Sequence, residues 1–551
     1  MWSDLKGNIM RKQYSFRTIA FIAVLSLGAG IGLDKLVSAD NIYEQIQKFG
    51  DVLSFTDKNY VEPIDVSKLT EAAINGMLNT LDPHSVYIPP KQFETVTDQF
   101  SGQFQGIGVS FRVLNDTITV MEPVGGGPSA RLGILSNDRI IKINDSSAIG
   151  FTDTQVMKTL RGPKGTKVKV TVVRPGVKDQ MNFIITRDVI PFVSLSAAMM
   201  LNGNVGYVKL DRFSETTHEE MASALSKLKS KGMERLILDL RDDGGGYLEE
   251  AVRLADLFLD GGPKDNPRKI VYTKARRPEL EDVYTAHSGD AYEKIPLIVM
   301  INHASASASE IVSGAIQDWD RGLIVGETSF GKGLVQRQMK LSDGSAFRIT
   351  IARYYTPSGR LIQRPYEGKD RAAYQLEPFA RKELEGENVE HTHDASEDSL
   401  GPVFKTASGR PVRGSGGIIP DYVVSGGSAT KFFAEIFRRN LFFDYAKEFS
   451  EGQGLSLRDK YKNDLGGFKQ NFEISERLLD DFMKFVATKG VTVDNKDLEK
   501  DRVFIQARLK GEIANVFFGF EGLVSVMLDV DPQIQKALTL FPEAEKIAKL
   551  N

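Results

Sequence analysis

The sequence predicts a multidomain α/β protein, and three features support this fold class. The 551 residues exceed the size of a single hydrophobic core, which rarely grows beyond about 250–300 residues. Strands and helices alternate over residues 190–360, in the manner of an α/β core. Short alternating strands precede this region and helical spacing follows it, which indicates further domains on both sides.

The composition argues against nucleic-acid binding and against cysteine-dependent chemistry. The chain has 70 basic and 73 acidic residues, a net charge of −3, and the two signs are interspersed. A nucleic-acid partner is therefore not expected. The chain has no cysteine, which excludes disulfides, a thiol nucleophile and thiolate metal sites. We expect no metal and no cofactor, and we interpret His391 and His393 as residues of a solvated loop.

Residues 1–39 are predicted to be a signal peptide or a membrane anchor. Basic residues precede an apolar run at 19–33, and Val37–Ala39 resembles a small-residue cleavage site. The run is shorter than the about 20 residues of a usual transmembrane span, so both interpretations stay open. In either case we expect export to the periplasm or cell envelope. An uncleaved segment would anchor the protein in the inner membrane.

Residues 40–95 are predicted to form an N-terminal helical region. Apolar residues have helical spacing over 42–55 and over 66–81, and Asp82-Pro83 ends the second helix. We interpret His84, which follows, as a structural polar residue at the helix end.

Residues 96–189 are predicted to form a separate domain of short strands with a helix near 152–160. A glycine-rich loop, Gly106, Ile107, Gly108 and Val109, precedes one strand. The backbone N–H groups of such a loop can face a chain-terminal carboxylate, while the edge of the following strand can pair with an extended peptide. We therefore predict peptide-carboxylate binding by these four residues.

Residues 190–427 are predicted to form the core domain, with a polar insertion at 364–415. A buried strand at 296–302 leads to three serines, Ser305, Ser307 and Ser309, and Lys332 follows between two glycines. A serine becomes nucleophilic only if a base takes its proton, and burial can lower the pKa of a lysine enough for this role. This combination suggests a Ser/Lys hydrolase. The apolar stripes of residues 428–551 predict a C-terminal helical domain that packs on the core or on another subunit.

Four segments resemble the C-terminal processing (tail-specific) peptidases, which are serine proteases with a Ser/Lys dyad and a PDZ domain. The segments are LDPHSVYIPP at 81–90, LILDLRDDGGGYLEEAV at 236–252, SASASEIVSGAI with VGETSFGKGLVQ at 305–336, and RYYTPSGRLIQ at 353–363. The resemblance implies a Ser/Lys protease core for 190–427 and an inserted, circularly permuted PDZ domain for 96–189.

The resemblance also implies roles for single residues. Ser307 has the position of the nucleophile, Lys332 that of the general base, and Gln336 that of a third residue that orients the lysine. If the segment after Gly333 is helical, Gln336 lies on the same face as Lys332. Ala308, at a helix start, is expected to donate its N–H to an oxyanion.

The second oxyanion donor is expected from the glycine turn. The resemblance points to Gly245, but the family usually has Asn-Pro where this chain has Asp243-Gly244. This difference leaves Gly245 and Gly246 as alternatives.

The expected function is a serine endopeptidase that recognises the apolar C-terminal tail of exported proteins and forms an acyl-enzyme. Its partners would be proteins or peptides with free C-termini, and a homo-oligomer or an adaptor protein is also considered. One alternative is a catalytically silent PDZ adaptor, although such a protein need not keep both Ser307 and Lys332. A Ser/His/Asp protease is another alternative, but His303, on the same segment as Ser307, is a poor candidate for the base.

Overall fold

A computed structural model of the protein describes residues 42–202, 204–381, 401–427 and 429–550. The chain divides into two compact units, one up to Met77 and one from Leu78 onwards. Helix α1 (Ile42–Asn59) lies in the first unit, and α2 (Val66–Asn79) begins in it. The predicted signal peptide or anchor, residues 1–39, lies outside the described residues. Within the described ranges, no helix has both the length and the apolar character needed to span a membrane.

The second unit begins with a short strand and a helix, followed by the predicted PDZ domain. Strand β1 (Val86–Ile88) and helix α3 (Pro90–Ser101) lead into β2 (Gln103–Gly106). The domain continues with β3 (Val109–Leu114), β4 (Thr117–Pro123), α4 (Pro128–Arg131), β5 (Arg139–Ile143), β6 (Ser146–Ser147), α5 (Asp153–Leu160), β7 (Lys167–Val173), β8 (Met181–Thr186) and β9 (Asp188–Pro191). The strand order is β3-β4-β5-β7-β8, with β6 beside β5, and β2 pairs separately with β9. β3 is therefore an edge strand of this sheet.

The core contains a six-stranded sheet in the order β10-β11-β12-β15-β16-β21. The elements of the core up to β16 are, in chain order, β10 (Leu195–Leu201), β11 (Val205–Leu210), α6 (Thr217–Ser230), β12 (Arg235–Asp239), α7 (Leu248–Asp256), β13 (Lys269–Ala275), β14 (Val283–Thr285), β15 (Leu297–Ile301), α8 (Ala308–Asp318) and β16 (Leu323–Gly326), of which β13 and β14 belong to another sheet. β10 is antiparallel to β11, whereas the other neighbours are parallel. The loops after β12 and β15 therefore lie at the same edge of the sheet, where α/β proteins usually place their sites.

A second sheet of antiparallel strands stands beside the first. Strands β17 (Leu334–Lys340) and β18 (Ala346–Tyr355) form a hairpin, and β18 also pairs with β1 and β13. The segment after Gly333 is therefore a strand, and the helical conformation considered for it is wrong. Ladder pairing with β18 satisfies the backbone of this segment, which overrides its local spacing.

The described parts of the predicted polar insertion are folded onto the core. They contain α9 (Arg371–Leu376), β19 (Val403–Lys405) and β20 (Pro411–Arg413), and β21 (Tyr422–Val423) then returns to pair with β16. Arg364 and Tyr374 are fully buried. The buried Arg364 guanidinium stacks on the Tyr374 ring and donates a hydrogen bond to the Phe330 carbonyl. His391 and His393 lie outside the described residues.

The C-terminal region is helical, as predicted, and its helices contribute side chains to two hydrophobic cores. Helices α10 (Lys431–Arg438), α11 (Leu441–Glu451), α12 (Leu455–Lys460), α13 (Leu465–Asn471), α14 (Glu476–Thr488) and α15 (Asn495–Phe518) surround an aromatic-rich core of their own. The remaining helices, α16 (Phe520–Met527), α17 (Pro532–Thr539) and α18 (Phe541–Ile547), supply side chains that pack against the six-stranded sheet. The predicted fold class, with a PDZ domain and helical terminal segments around an α/β core, is confirmed.

Candidate active site

Ser307 lies at the junction between β15 and α8. It is the residue before the helix begins, and its backbone has φ 57° and ψ −109°. Residues other than glycine rarely adopt a positive φ, and such strain is concentrated at functional sites. Ser307 is half-buried, and Ala308 is the first residue of the helix. The first N–H groups of a helix have no acceptor within it, so the Ala308 N–H has the direction expected of an oxyanion donor.

The two neighbouring serines have structural partners. Ser305 and Ser309 are fully buried. The Ser305 hydroxyl donates to the Leu240 carbonyl at 2.8 Å, and the Ser309 hydroxyl donates to the Asp243 carbonyl at 2.9 Å. Both serines therefore fasten the loop after β15 to the turn after β12, which leaves Ser307 as the partly accessible serine of the three.

The glycine turn after β12 approaches Ser307 closely. Gly245 has φ 95°, and a Cβ at this position would lie 2.7 Å from the Ala306 carbonyl oxygen and 2.9 Å from the Ser307 Cβ. Only a residue without a side chain fits here. However, the Gly245 N–H donates to the Asp243 carboxyl at 2.7 Å, so it is already engaged in this structure. Asp243 is buried, and burial raises its pKa well above the usual range.

Lys332 has the electrostatic surroundings of a base. Burial lowers the pKa of its amine from the usual 10.5 to about 8, and the nearby Arg348 guanidinium contributes to this decrease. The carboxylates of Glu310 and Asp82 act in the opposite direction. A lysine with a pKa near 8 is partly neutral at physiological pH, which is the form that accepts a proton. Phe330 and Leu334, two residues on either side of Lys332, are both buried.

Glu310 joins the backbones of Ser307 and Lys332. One of its carboxylate oxygens accepts the Ser307 N–H at 2.8 Å and the Lys332 N–H at 2.9 Å. The other oxygen accepts the Gly331 N–H at 2.7 Å and the Ser329 hydroxyl at 2.5 Å. Glu310 is fully buried, and burial raises its pKa although these hydrogen bonds oppose the increase.

The role of Glu310 as an acceptor for the Ser307 and Lys332 N–H groups was not predicted from the sequence. The available signal was the Ser-x-x-Glu spacing from Ser307, which is typical of a glutamate that reaches back to the start of its helix. A second bridge is the Tyr354 hydroxyl, which lies 3.1 Å from the Ser307 carbonyl oxygen and 2.6 Å from that of Lys332.

Gln336 lies on β17 rather than on a helix. Its amide nitrogen donates to the His84 carbonyl at 2.6 Å. This bond fixes the orientation of the amide and leaves its oxygen as an acceptor. A register shift between Val335 and Gln336 locally disturbs the alternation of side chains along the strand.

His84 is a buried structural residue, in agreement with its interpretation from the sequence. Burial, and then the positive charge of Lys332, lower the pKa of the imidazole to about 3, so the ring is neutral. His84 Nε2 lies 3.2 Å from the Tyr374 hydroxyl, and its ring packs edge-on against Tyr374 and Phe330. These rings contribute to the water-poor environment of the Lys332 loop.

The predicted peptide-binding loop borders a groove on the PDZ domain. Gly106 ends β2, Ile107 is buried, Gly108 has φ 72°, and Val109 begins the edge strand β3. A cavity of about 410 Å³ extends from this loop along β3 to α5 and is lined mainly by apolar side chains. An extended peptide fits such a groove, because the free edge of β3 offers backbone pairing and the cavity accepts apolar side chains.

A metal site is not apparent in the described part of the chain, where no three His, Cys, Asp or Glu residues are grouped as ligands would be.

Four protein families match parts of the chain. Residues 204–368 match peptidase family S41, and residues 105–185 match the PDZ domain. Residues 32–91 match the N-terminal domain of the activating protease CtpB. Residues 432–519, which include most of the C-terminal helices, match a family of unknown function.

Individual relatives agree with this assignment. The carboxy-terminal-processing protease of Bartonella bacilliformis is 37% identical over 355 residues, which are 63% of this chain and 80% of that protein. The carboxy-terminal processing protease CtpA of Bacillus subtilis is 34% identical over 337 residues, 61% of this chain and 68% of the relative. Among solved structures, the photosystem II D1 C-terminal processing protease matches with 28% identity and a TM-score of 0.32, covering 57% of this chain and 89% of its own. The sequence identity to these two bacterial proteases, and the coverage of their length, show that this chain belongs to the carboxy-terminal-processing proteases of peptidase family S41, which are serine-type peptidases, and it carries their PDZ domain.

Proposed function

We propose that this protein is an endopeptidase that binds the apolar C-terminal tail of exported proteins and cleaves them with a Ser307/Lys332 dyad. The observation that carries the proposal is the shared acceptor at Glu310. A single carboxylate oxygen binds the N–H groups of both Ser307 and Lys332, although 24 residues lie between them in the sequence. Such a bond holds the two segments in one arrangement, as a catalytic pair requires.

In the proposed mechanism, neutral Lys332 takes the proton of the Ser307 hydroxyl as the oxygen attacks the scissile carbonyl carbon. The resulting oxyanion accepts the Ala308 N–H and an N–H from the glycine turn. Lys332 then returns its proton to the leaving amine, and the peptide bond breaks to give an acyl-enzyme on Ser307. Water, deprotonated by Lys332, attacks the ester, and the second product leaves with a free carboxylate.

The second oxyanion donor is assigned to the glycine turn as a whole. The Gly245 N–H can serve only after it leaves the Asp243 carboxyl, to which it donates at 2.7 Å. The Gly246 N–H is the alternative. Substitution of Asp243 by Ala removes this acceptor and therefore tests whether the contact restrains the turn.

Gln336 is proposed to orient Lys332. Its amide nitrogen is bound to the His84 carbonyl, so the amide oxygen is the group available to the lysine. An uncharged acceptor positions an amine without the strong increase in pKa that a carboxylate would cause. The amine would therefore remain partly neutral near pH 8.

Substrate selection is proposed to occur in the PDZ groove. The N–H groups of Gly106–Val109 would bind the terminal carboxylate, while the apolar cavity beside β3 would hold the last side chains. We further propose that the protein acts in the periplasm or cell envelope after export through residues 1–39. A homo-oligomer or an adaptor protein would be compatible with this role.

The mechanism is tested by single alanine substitutions at the three serines and at Lys332. We expect Ser307→Ala and Lys332→Ala to lose peptidase activity. Ser305→Ala and Ser309→Ala serve as matched controls, because each removes a buried hydrogen bond but should retain some activity. Full activity of the Ser307→Ala protein would exclude Ser307 as the nucleophile.

Tail recognition is tested with three peptide substrates that share the same cleavage sequence. One ends in an apolar residue with a free carboxylate, one has the same end amidated, and one ends in Asp. We expect the first to be cleaved fastest, because it satisfies both the loop and the apolar cavity. Equal cleavage of all three would show that the PDZ domain does not select substrates through the chain terminus.

A further inference from the structure

One arginine of the protease core lies in the peptide groove of the PDZ domain. Arg212 follows strand β11, outside the PDZ domain, yet it lines the same 410 Å³ cavity as Ile107, Gly108 and Val109. Its guanidinium carbon stands 4.2 Å from the centroid of the Phe192 ring. The groove is therefore built by two domains, and the core contributes a cation to it.

The charge of Arg212 is not compensated within the described residues. None of the ion pairs there includes Arg212, and its Nε is buried without a hydrogen-bond acceptor. The other arginine of the groove, Arg161, differs, since it forms an ion pair of 2.5 Å with Asp98. A buried guanidinium donor without an acceptor is costly, and a carboxylate is the group that best satisfies its planar fork.

We infer that Arg212 is a second ligand for the carboxylate of the bound peptide, supplied by the protease core. This inference rests on the proposed tail recognition and extends it. The loop Gly106–Val109 would bind the carboxylate through neutral N–H groups, whereas Arg212 would add a charge-assisted hydrogen bond. Full affinity for a tail would then require the PDZ domain to stand against the core as it does here.

The position of Arg212 also connects the groove to the glycine turn. The next residue, Phe213, donates its N–H to the Gly245 carbonyl at 3.2 Å and accepts the Tyr247 N–H at 3.0 Å. Gly245 in turn lies against Ser307. A peptide carboxylate on Arg212 would therefore contact the residue that precedes Phe213, and Phe213 is hydrogen-bonded to the glycine turn beside Ser307.

The test is a thermodynamic cycle between Arg212 and the peptide carboxylate. Binding of fluorescent peptides is measured by anisotropy on the full chain carrying Ser307→Ala, with Arg212, Arg212→Gln or Arg212→Lys. Three peptides are compared: an apolar tail with a free terminus, the same tail amidated, and an amidated tail whose last residue is Asp. Arg477→Gln is the matched control, because Arg477 is exposed on the C-terminal helical domain.

We expect Arg212→Gln to weaken binding of the free-acid peptide by about ten- to a hundredfold, the usual effect of a lost hydrogen bond to a charged group. Binding of the amidated apolar peptide should change less than about twofold, since that peptide has no carboxylate for the arginine. Arg212→Lys should have an intermediate effect, because it keeps the charge but not the fork. Arg477→Gln should change neither. If the Asp-amide peptide shows the loss instead of the free acid, Arg212 binds a side-chain carboxylate, and its role as a ligand of the terminal carboxylate is refuted.

Two failures can be told apart. If the unsubstituted groove binds free-acid and amidated peptides equally, the proposed tail recognition fails, and the inference fails with it. If the groove prefers the free acid but Arg212→Gln and Arg212→Lys keep the same preference, tail recognition stands and only the role of Arg212 is refuted. Thermal unfolding of each variant shows whether it is folded. If Arg212→Gln is unfolded, the role of Arg212 is judged from the peptide preference of Arg212→Lys.

Discussion

Replacement of Glu310 should reveal how strongly the candidate pair depends on one buried carboxylate. Four donors converge on this group: the N–H groups of Ser307, Gly331 and Lys332, and the Ser329 hydroxyl. Glu310→Ala would leave all four without an acceptor. Since each unsatisfied buried donor costs about 1–3 kcal/mol, the total of about 4–12 kcal/mol is comparable to the stability of a whole domain. The alanine variant is therefore expected to fold poorly.

Glu310→Gln is the more informative change. Glutamine can keep its oxygen toward Ser307 and Lys332, and its NH₂ group would then face Ser329 and Gly331. The Ser329 hydroxyl can rotate and accept, but the Gly331 N–H cannot. One orphaned donor costs about 1–3 kcal/mol. If this disorders the pair, kcat/KM falls by about 5- to 150-fold.

The pH profile gives a second, independent signature of Glu310→Gln. The Glu310 charge raises the pKa of Lys332, so its removal should move the profile to lower pH even as the rate falls. The assay is kcat/KM for a fluorogenic tailed peptide between pH 6 and pH 10, with folding followed by the fluorescence of Trp319 at the end of α8.

The matched control for this experiment is Glu512→Gln. Glu512 is a buried carboxylate of the C-terminal helical domain, where it binds Arg508 and Asn515. The control should lose stability but keep the pH profile. A Glu310→Gln enzyme with wild-type rate and profile would refute the account of the shared acceptor.

Further predictions concern the base, the glycine turn and reagents. The rate of the wild type should rise with pH through about 8, as Lys332 becomes neutral, and Arg348→Gln should move this rise to higher pH, whereas Arg353→Gln on the same strand should not. Gly245→Ala should lose most activity, whereas Gly232→Ala, which has φ 90° but open space around it, should lose about 1–2 kcal/mol of stability and keep its activity. Activity should survive chelators and thiol reagents, since the chain has no cysteine and we predict no metal; inhibition by a chelator with recovery on added zinc would contradict the mechanism.

Much of the fold could be predicted because the local patterns agree with their surroundings. The apolar run at 296–302 contains the buried strand β15 of the six-stranded sheet, and the helix after the serines begins at Ala308. These features depend on burial and on small residues near the chain, and both are visible in the sequence.

The remaining features depend on contacts between distant segments. Glu310 acquires its role only when the loop of Lys332 folds back on α8, and the conformation of Gln336 is set by pairing with β18 rather than by spacing. The helices after Phe520 carry the same apolar stripes as those before it. A stripe does not specify its partner, so their packing on the six-stranded sheet could not be predicted.

If Ser307 is the nucleophile, it carries the acyl group of a covalent intermediate, and this intermediate can be trapped chemically. An activated ester of an apolar-tailed peptide is mixed with the enzyme near pH 8, where part of the Lys332 population is neutral and can promote acylation, and the reaction is quenched with acid before deacylation is complete. Peptide mapping by mass spectrometry should locate the acyl group on Ser307, and Lys332→Ala should abolish labelling. An acyl group on Ser305 or Ser309, or turnover without any acylated serine, would contradict the account.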